Sequence, residues 1–295
     1  MKNNPFFENF NTPFETIPFS KIKTEHFIPA IDEAIILGKN NIESIISSDE
    51  KPTFRNTIEK FEIASEHLGM IAGVYWHLFG AHSDTDHKKL ADDMSMKMSA
   101  YQNDYVLNNL LFSKIEKVHD ERNNLNLDIH EMKLTEDIYT FFKRNGASLT
   151  EDEKMKLREI DESLSSLSPK FSNNASSAQN KFELWITDES ELEGLPDTAI
   201  DSAKYASIEK GKENEWLFTL QFPSYVPFIT YSAKRHLREK MIKAYGSLCN
   251  GGEHDNSEIV KSIVSLKHKR ANLLGFDTFA DYVLERRMAK NKDNV

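Results

Sequence analysis

Residues 150–185, TEDEKMKLREIDESLSSLSPKFSNNASSAQNKFELW, decide the fold class. Thr150 and Glu153 have the spacing of a capping box, which predicts the start of a helix. Apolar residues then recur every three or four positions, as on one helix face: Leu157, Ile160, Leu164, Leu167, Phe171, Ala175, Ala178, Phe182 and Trp185. Pro169 predicts a kink or break near Ser168, because proline removes one backbone hydrogen bond and crowds the preceding turn. The pattern predicts one very long helix or two shorter ones, with its apolar face buried from Leu157 to Phe171.

Helical periodicity continues on both sides of this stretch. Caps and apolar spacing predict further helices over residues 24–45, 53–80, 86–105 and 255–275, and from residue 278 onward. FELWITD around Trp185 and EWLFTLQF around Trp216 are the only candidate strands, although such short runs do not distinguish a strand from a helix. We therefore predict an all-α fold of long antiparallel and crossing helices, with at most a minor two-stranded ribbon.

The beginning of the chain differs from the rest. Residues 1–23 contain Pro5, Pro13 and Pro18, which prevent a regular helix, and five phenylalanines, which are unusual in a disordered tail. We predict an extended aromatic arm over residues 1–23, held against the body by its phenylalanines, and a helical region over residues 24–295. A length of 295 residues suffices for one large helical domain or two smaller ones, and no repeat of fixed period is present.

Composition narrows the class of protein and its partners. The net charge is −10, with acidic and basic residues interleaved, so we expect no binding to nucleic acid. A single cysteine, Cys249, cannot form an internal disulfide, which favours a reducing setting. The sequence contains neither the apolar core of a signal peptide nor about 18 consecutive apolar residues. We expect a cytoplasmic protein that does not associate with membranes.

The histidines do not form a recognisable metal site. His130-Glu131-Met132-Lys133-Leu134 resembles the start of a zinc helix, but Leu134 stands where the second histidine would be required. His77, His82 and His87 are five residues apart, which places each side chain about 140° around the helix axis from the one before it. Their three rings therefore do not lie on one helix face. None of the ten histidines forms an H-x-x-x-H pair. We predict no metal ligand in this chain.

The remaining polar motifs also favour structural roles. Cys249 has His254 nearby in sequence, but a loop cysteine is the better interpretation than a nucleophile with its base. Gly251-Gly252 lacks the preceding strand and the following G-K-S/T of a phosphate loop. Lys267-His268-Lys269-Arg270 predicts a solvated helix face, and the run Met94, Met96 and Met98 predicts packing. We predict no catalytic and no cofactor-binding residue.

Several motifs together resemble a known family. These are NPFFENFNTPFETIPFSKIKTEHFIPAIDEAI, FFKRNGASLTEDEK, LWITDESELEGLP, PSYVPFITYS, RHLREKMIKAY, HDNSEIV, KRANLLGF and FADYVLERRMA. The chain is identified as a member of the thimet-oligopeptidase family of zinc metallopeptidases. KRNGA, PSYVPFITYS and LREKM are similar to its peptidyl-dipeptidase (dipeptidyl carboxypeptidase) branch. Two segments, Ser247-Leu248-Cys249 and Lys267-His268, depart from it where many relatives have an arginine.

The resemblance implies a helical protein with a deep channel between two lobes. A zinc-activated water would attack the peptide bond, with zinc held by two histidines of an H-E-x-x-H helix and a later glutamate. Those positions, and the histidine and tyrosine residues that stabilise the oxyanion, lie beyond the part of the family that this sequence resembles. The chain would form one wall of the channel, and short peptides and a separate carboxy-terminal catalytic half would be its partners. Because it ends within a helical region, we expect Val295 not to be a natural domain end.

Two hypotheses remain open. In the first, the chain is the amino-terminal, non-catalytic part of a zinc peptidyl-dipeptidase, which releases C-terminal dipeptides from short oligopeptides and binds zinc outside this chain. In the second, the chain is a self-contained helical peptide-binding or regulatory module without catalysis. We expect the isolated chain to be inactive under either hypothesis.

Overall fold

A computed structural model of the protein describes residues 4–82 and 84–295. The helices are α1 (Phe27–Ile46), α2 (Lys60–Ile63), α3 (Glu66–Ala81), α4 (Thr85–Lys89), α5 (Ala91–Val106), α6 (Asn109–Glu121), α7 (Ile129–Arg144), α8 (Glu151–Lys181), α9 (Asp197–Glu209), α10 (Phe222–Tyr231), α11 (Arg235–Gly246), α12 (Ser257–Leu273) and α13 (Phe279–Leu284). The strands are β1 (Leu184–Ile186) and β2 (Trp216–Phe218). Short 3-10 turns occupy Pro5–Phe7, Pro13–Glu15, Thr24–His26, Arg122–Asn124, Glu189–Leu192 and Lys292–Asn294, and a π-helical turn spans Phe54–Glu59.

The all-α prediction is confirmed. Within the described residues the only sheet is the antiparallel pair β1 and β2, in which Ile186 lies opposite Trp216. This is the ribbon predicted around the two tryptophans. No helix in the described part of the chain is long and apolar enough to cross a bilayer.

The described residues form two compact units. The first comprises the residues up to Ser166 together with Ser265–Val295, and the second comprises Leu167–Val264. α8 and α12 each contribute residues to both units, whereas the ribbon and α9 to α11 belong to the second. The domain division predicted from the sequence, with an arm over residues 1–23 and a helical region over residues 24–295, does not correspond to these two units. It stays a prediction.

The helix predicted over residues 53–80 is interrupted, contrary to expectation. Thr53 begins it as predicted, since its hydroxyl accepts a hydrogen bond from the backbone N–H of Asn56 at 3.2 Å. The chain then forms the π-helical turn and α2 before α3 begins. The break lies at Ala64, whose carbonyl accepts a hydrogen bond from the side chain of Asn41 at 3.0 Å. A residue of α1 thus hydrogen-bonds the carbonyl at the break. The apolar periodicity of the sequence gives no sign of this contact.

α8 is one continuous helix of 31 residues. Of the two alternatives the single long helix is confirmed and the break at Pro169 is wrong, whereas the kink stays a prediction. A proline costs a helix one backbone hydrogen bond, and the turns on both sides of Pro169 remain helical. The capping box is confirmed, because the carboxylate of Glu153 accepts hydrogen bonds from the backbone and hydroxyl of Thr150 at 2.9 and 2.8 Å.

The burial predicted along α8 is correct only at its beginning. Leu157 is fully buried, but Phe171 is 39% exposed. Between them Ile160, Leu164 and Leu167 are half-buried. Ile160 and Leu164 each line a cavity of the first unit, so this face of the helix adjoins open space as well as core.

Aromatic side chains form the core of the first unit. The ring of Phe27 lies 5.2 Å from that of Phe6 and 5.3 Å from those of Tyr75 and His87. Phe6 thus packs the beginning of the described chain against the body, and the aromatic arm over residues 1–23 stays a prediction. Phe14, in contrast, is 98% exposed, so not every phenylalanine of this segment makes such a contact.

The ribbon supplies part of the core of the second unit. Leu184, Ile186 and Phe218 project from it into a buried cluster that includes Phe228 and Met241. The rings of Phe218 and Phe228 lie 4.7 Å apart. Two strands without such packing would be marginally stable in water, so the ribbon depends on α10 and α11.

Candidate functional site

A cavity of about 520 Å³ lies within the first unit, bordered by α3, α5, the beginning of α8 and the end of α12. This volume is in the range of sites that bind small ligands. Its lining combines apolar side chains, such as Trp76 and Met98, with hydroxyls and amides, such as Ser99 and Asn103. The cavity is therefore suited to a ligand that carries both apolar and hydrogen-bonding groups.

An ion pair between Asp161 of α8 and Arg270 of α12 borders this cavity. The Nε of Arg270 donates to the carboxylate of Asp161 at 2.7 Å, and the two side chains are only 14% and 13% exposed. Arg270 also donates to the side-chain carbonyl of Asn145 at 3.0 Å. Burial alone would lower the pKa of Arg270, but the hydrogen bond and charge of Asp161 outweigh it and raise that pKa. The guanidinium is thus permanently charged and neutralised locally.

A second arginine supports the same region. The guanidinium of Arg144 lies 4.5 Å from the ring centre of Tyr282 and 5.5 Å from that of Phe276. It also pairs with Glu285 and donates to the backbone carbonyl of Tyr282. Burial lowers the pKa of Arg144. Arg270 donates to the hydroxyl of Tyr282 at 3.4 Å, so both arginines contact the segment that follows α12.

α5 is held in place by polar contacts with α1, with α8 and with the residue before α3. The carboxylate of Asp104 pairs with Lys39 at 2.8 Å and with Arg158 at 3.0 Å. Burial would raise the pKa of Asp104, but the hydrogen bonds from Lys39 and Arg158 outweigh it and lower that pKa. The hydroxyl of Tyr101 hydrogen-bonds that of Ser65 at 2.6 Å. These contacts order the wall of the cavity before any ligand binds.

The motifs considered as metal sites have structural partners instead. His130 is exposed, and Glu131 completes a capping box by accepting a hydrogen bond from the backbone of Asp128 at 3.1 Å. His77 and His82 are exposed, whereas His87 is buried and its Nε2 lies 3.2 Å from the carbonyl of Tyr75. No group of three or more His, Cys, Asp or Glu residues within residues 4–82 and 84–295 could hold a metal ion.

Cys249 and His254 both line a cavity of about 340 Å³ in the second unit. Burial, and then the charge of Asp255, raises the pKa of the Cys249 thiol. A nucleophilic cysteine requires the opposite shift, because the thiolate is the reactive form. The direction of this pKa shift therefore favours the loop interpretation made from the sequence.

The solvated face predicted for Lys267-His268-Lys269-Arg270 is wrong for Arg270, whose side chain is only 13% exposed. Apolar spacing along α12 contains the signal, since Ile259, Ile263 and Leu266 lead to position 270 on the same helix face. Asp161 similarly follows Leu157 by four residues on the apolar side of α8. Asn103 has no such signal, because it does not share the face of Met94 and Tyr101. Sequence reasoning missed all three of these cavity residues.

Known proteins resemble this chain over nearly its whole length. Residues 228–295 match the model of peptidase family M3. Oligopeptidase A of Escherichia coli strain K12 is 30% identical over 289 residues, which is 96% of this chain and 42% of that protein. The chain belongs to peptidase family M3. It corresponds to the amino-terminal part of such proteins, which confirms the family resemblance found in the sequence.

Other relatives represent different members of the family. Dipeptidyl carboxypeptidase of Salmonella typhimurium strain LT2 is 28% identical over 291 residues, covering 98% of this chain and 43% of that protein. A probable cytosolic oligopeptidase A of Arabidopsis thaliana is 27% identical over 295 residues, covering 98% and 41%. The M3 chain thus spans about two fifths of these relatives. The oligopeptidase A relatives and the dipeptidyl carboxypeptidase relative are about equally identical to this chain. Membership of the peptidyl-dipeptidase branch therefore stays a prediction.

Proposed function

We propose that this chain is the amino-terminal, non-catalytic part of a zinc metallopeptidase that hydrolyses short oligopeptides and releases C-terminal dipeptides. The observation that carries the proposal is similarity along 96% of the chain to a peptidase more than twice as long. In this proposal the helices of the first unit form part of the wall of a peptide channel. The mixed apolar and polar cavity supports that role, because peptides carry both kinds of group.

Members of family M3 depend on zinc, and the described residues do not fit a zinc site. The sequence has no pair of histidines spaced to hold zinc from one helix, and no cysteine beyond Cys249. We therefore assign the zinc, the general base and the oxyanion-stabilising groups to residues outside this chain. The cytosolic relative from Arabidopsis thaliana supports a cytoplasmic location.

The test is a peptidase assay on the protein isolated from its own cells, with blocked peptides of five to ten residues. Chelator-sensitive release of C-terminal dipeptides, restored by added zinc, is the expected result. Chelator-sensitive cleavage at internal bonds would place the protein with the oligopeptidases and overturn the dipeptide specificity. Absence of chelator-sensitive hydrolysis would overturn the proposal as a whole.

The isolated 295-residue chain provides a second test. After dialysis it should retain no stoichiometric zinc and should not cleave the same peptides, because it lacks the two-histidine helix and its glutamate. One tightly held zinc per chain together with chelator-sensitive cleavage would show that distant residues assemble a site, which would contradict the assignment.

The alternative function, a self-contained peptide-binding module, is favoured by one observation, the cavity of the first unit. Intact mass measured in cells distinguishes the two, since the module would have a mass near 34.0 kDa. A species more than twice that size would exclude the module.

A further inference from the structure

Asn103 is an unusual residue of the 520 Å³ cavity. Its side chain lines the cavity and the residue is only 5% exposed, but its amide atoms are not among the fully buried unpaired ones, and none has a hydrogen-bond partner in the described part of the chain. Its backbone carbonyl, in contrast, accepts hydrogen bonds from Leu107 and Arg158. The Asn103 amide is therefore positioned by the fold and stays accessible from the cavity, where a ligand can pair with it.

The chemistry of this amide indicates what would pair with it. An asparagine side chain presents a carbonyl acceptor beside an N–H donor. A peptide unit carries the same two groups, one donor and one acceptor, on its backbone. One peptide unit can thus satisfy both groups of Asn103 at once. A phosphate or carboxylate would satisfy the donor alone.

Gly69 leaves the backbone of α3 accessible from the same cavity. A Cβ added at Gly69, which lines the cavity, or at Gly73 would meet no described atom within 4 Å apart from the neighbouring backbone of its own helix. A glycine inside a helix is less stable than alanine, so such positions call for a reason. At Gly38 the reason is visible, because the phenol of Tyr101 occupies the space of a Cβ. At Gly69 the open space faces the cavity, and it allows a ligand backbone to approach the helix closely.

The remaining lining fits an uncharged ligand segment. Trp76, Met98 and Leu164 provide apolar contacts for one side chain. The charges of Asp161 and Arg270 compensate each other at 2.7 Å, so the cavity does not require a net charge on its ligand. This argues against a phosphorylated or strongly ionic ligand.

We infer that this cavity binds a segment of a short peptide. One peptide unit hydrogen-bonds Asn103, the peptide backbone passes along Gly69, and an apolar side chain packs against Trp76. The inference rests on the proposed function in that it names where this chain would hold the peptide substrate. The cavity would then contribute to substrate affinity and to a preference for an apolar side chain at one position.

The experiment measures binding of acetyl-Ala-Ala-Leu-Ala-Ala-amide, an uncharged blocked peptide, to the 295-residue chain by isothermal titration calorimetry. We expect saturable binding of one peptide per chain. Asn103→Leu should weaken it about tenfold, the effect of losing two ordinary hydrogen bonds. Gly69→Leu should abolish it, because the new side chain occupies the path of the peptide backbone.

Matched variants exclude indirect effects. Gly80→Leu places the same side chain on α3, in open space but away from the cavity lining, and should bind the peptide as the parent chain does. Asn173→Leu removes an amide of the second unit whose oxygen is buried without a hydrogen-bond partner in the described part of the chain, and it should likewise leave affinity unchanged. Thermal melting by circular dichroism should show that Asn103→Leu and Gly69→Leu remain folded.

Asn103 also borders a second cavity, of about 380 Å³, which Gly69 does not line. Loss of binding in both variants therefore identifies the larger cavity. No saturable binding to the parent chain, or unchanged affinity in a folded Asn103→Leu chain, would overturn the inference.

The outcomes separate this inference from the proposed function. Chelator-sensitive hydrolysis by the longer protein, without variant-sensitive binding to this chain, would remove the cavity site and leave the peptidase proposal intact. Variant-sensitive binding without any hydrolysis would support the cavity site and remove the peptidase proposal.

Discussion

Replacing Arg270 with methionine should lower the free energy of unfolding of the first unit by about 3 kcal/mol, because the carboxylate of Asp161 would stay buried without its cation. The Nε of Arg270 lies 2.7 Å from the carboxylate of Asp161, and the side chains of Arg270 and Asp161 are 13% and 14% exposed. Removing one member of a buried pair costs about 3–5 kcal/mol, and the residual exposure places this pair near the lower limit. Asn145 would lose its hydrogen-bond donor as well.

Replacing both partners should cost less than replacing one. Asp161→Leu with Arg270→Met removes both charges and substitutes apolar groups of similar size, which is often nearly neutral. We expect the double variant to recover at least about 1.5 kcal/mol of the loss caused by Arg270→Met alone. The difference isolates the cost of an uncompensated buried charge from the loss of packing.

The assay is urea denaturation at pH 7, followed by the fluorescence of Trp76 in a chain whose other two tryptophans are replaced by phenylalanine. Arg286→Met is the matched control, because that arginine pairs with Asp137 at 3.1 Å while its own side chain is 52% exposed. Such a pair is worth about 0–1 kcal/mol. If Arg270→Met cost no more than this control, or if the double variant were as unstable as the sum of its single variants, the argument would be refuted.

Three further predictions concern packing, backbone conformation and the thiol. Leu157→Ala should lower the free energy of unfolding by about 2–5 kcal/mol in urea, whereas Phe171→Ala should stay within about 0.5 kcal/mol, since only Leu157 is buried. Gly146 has a φ of 97° and an added Cβ would lie 2.5 Å from the Leu157 side chain, so Gly146→Ala should cost at least about 1 kcal/mol in thermal melting; an unchanged melting temperature would contradict this. The folded-state pKa of Cys249 is raised, so its stabilising contribution is present below the ordinary thiol pKa and is lost as the pH rises through the raised value. Iodoacetamide should modify Cys249 more slowly in the folded chain than in urea at pH 8.5, and equal rates would show that burial does not protect the thiol.

Local sequence rules predicted some of the helix starts. The capping boxes and caps at Thr150 and Thr278 are present, because they depend on residues three positions apart. The same rules failed at Ala64 and Pro169, for different reasons. At Ala64 a side chain from α1 engages the backbone, whereas at Pro169 the helix tolerates the loss of one hydrogen bond.

The candidate site was predictable only in part. Apolar spacing already places Arg270 on the buried face of α12, but a charged residue is expected in solvent until its partner is known. That partner, Asp161, is 109 residues away in sequence. The sequence could not have identified Asn103 as a site residue. An amide without a hydrogen-bond partner is recognised only when the positions of all its neighbours are known.

The sequence by itself determined the helical class and the family, since these depend on spacing within about 30 residues or on linear motifs, and it marked Trp185 and Trp216 as candidate strand positions. Tertiary structure decided which charges are buried, where α3 begins and which helices enclose the cavity. The physical reason is that a helix forms from contacts three or four residues apart, whereas the burial and pairing of a side chain depend on residues brought close only when the chain folds.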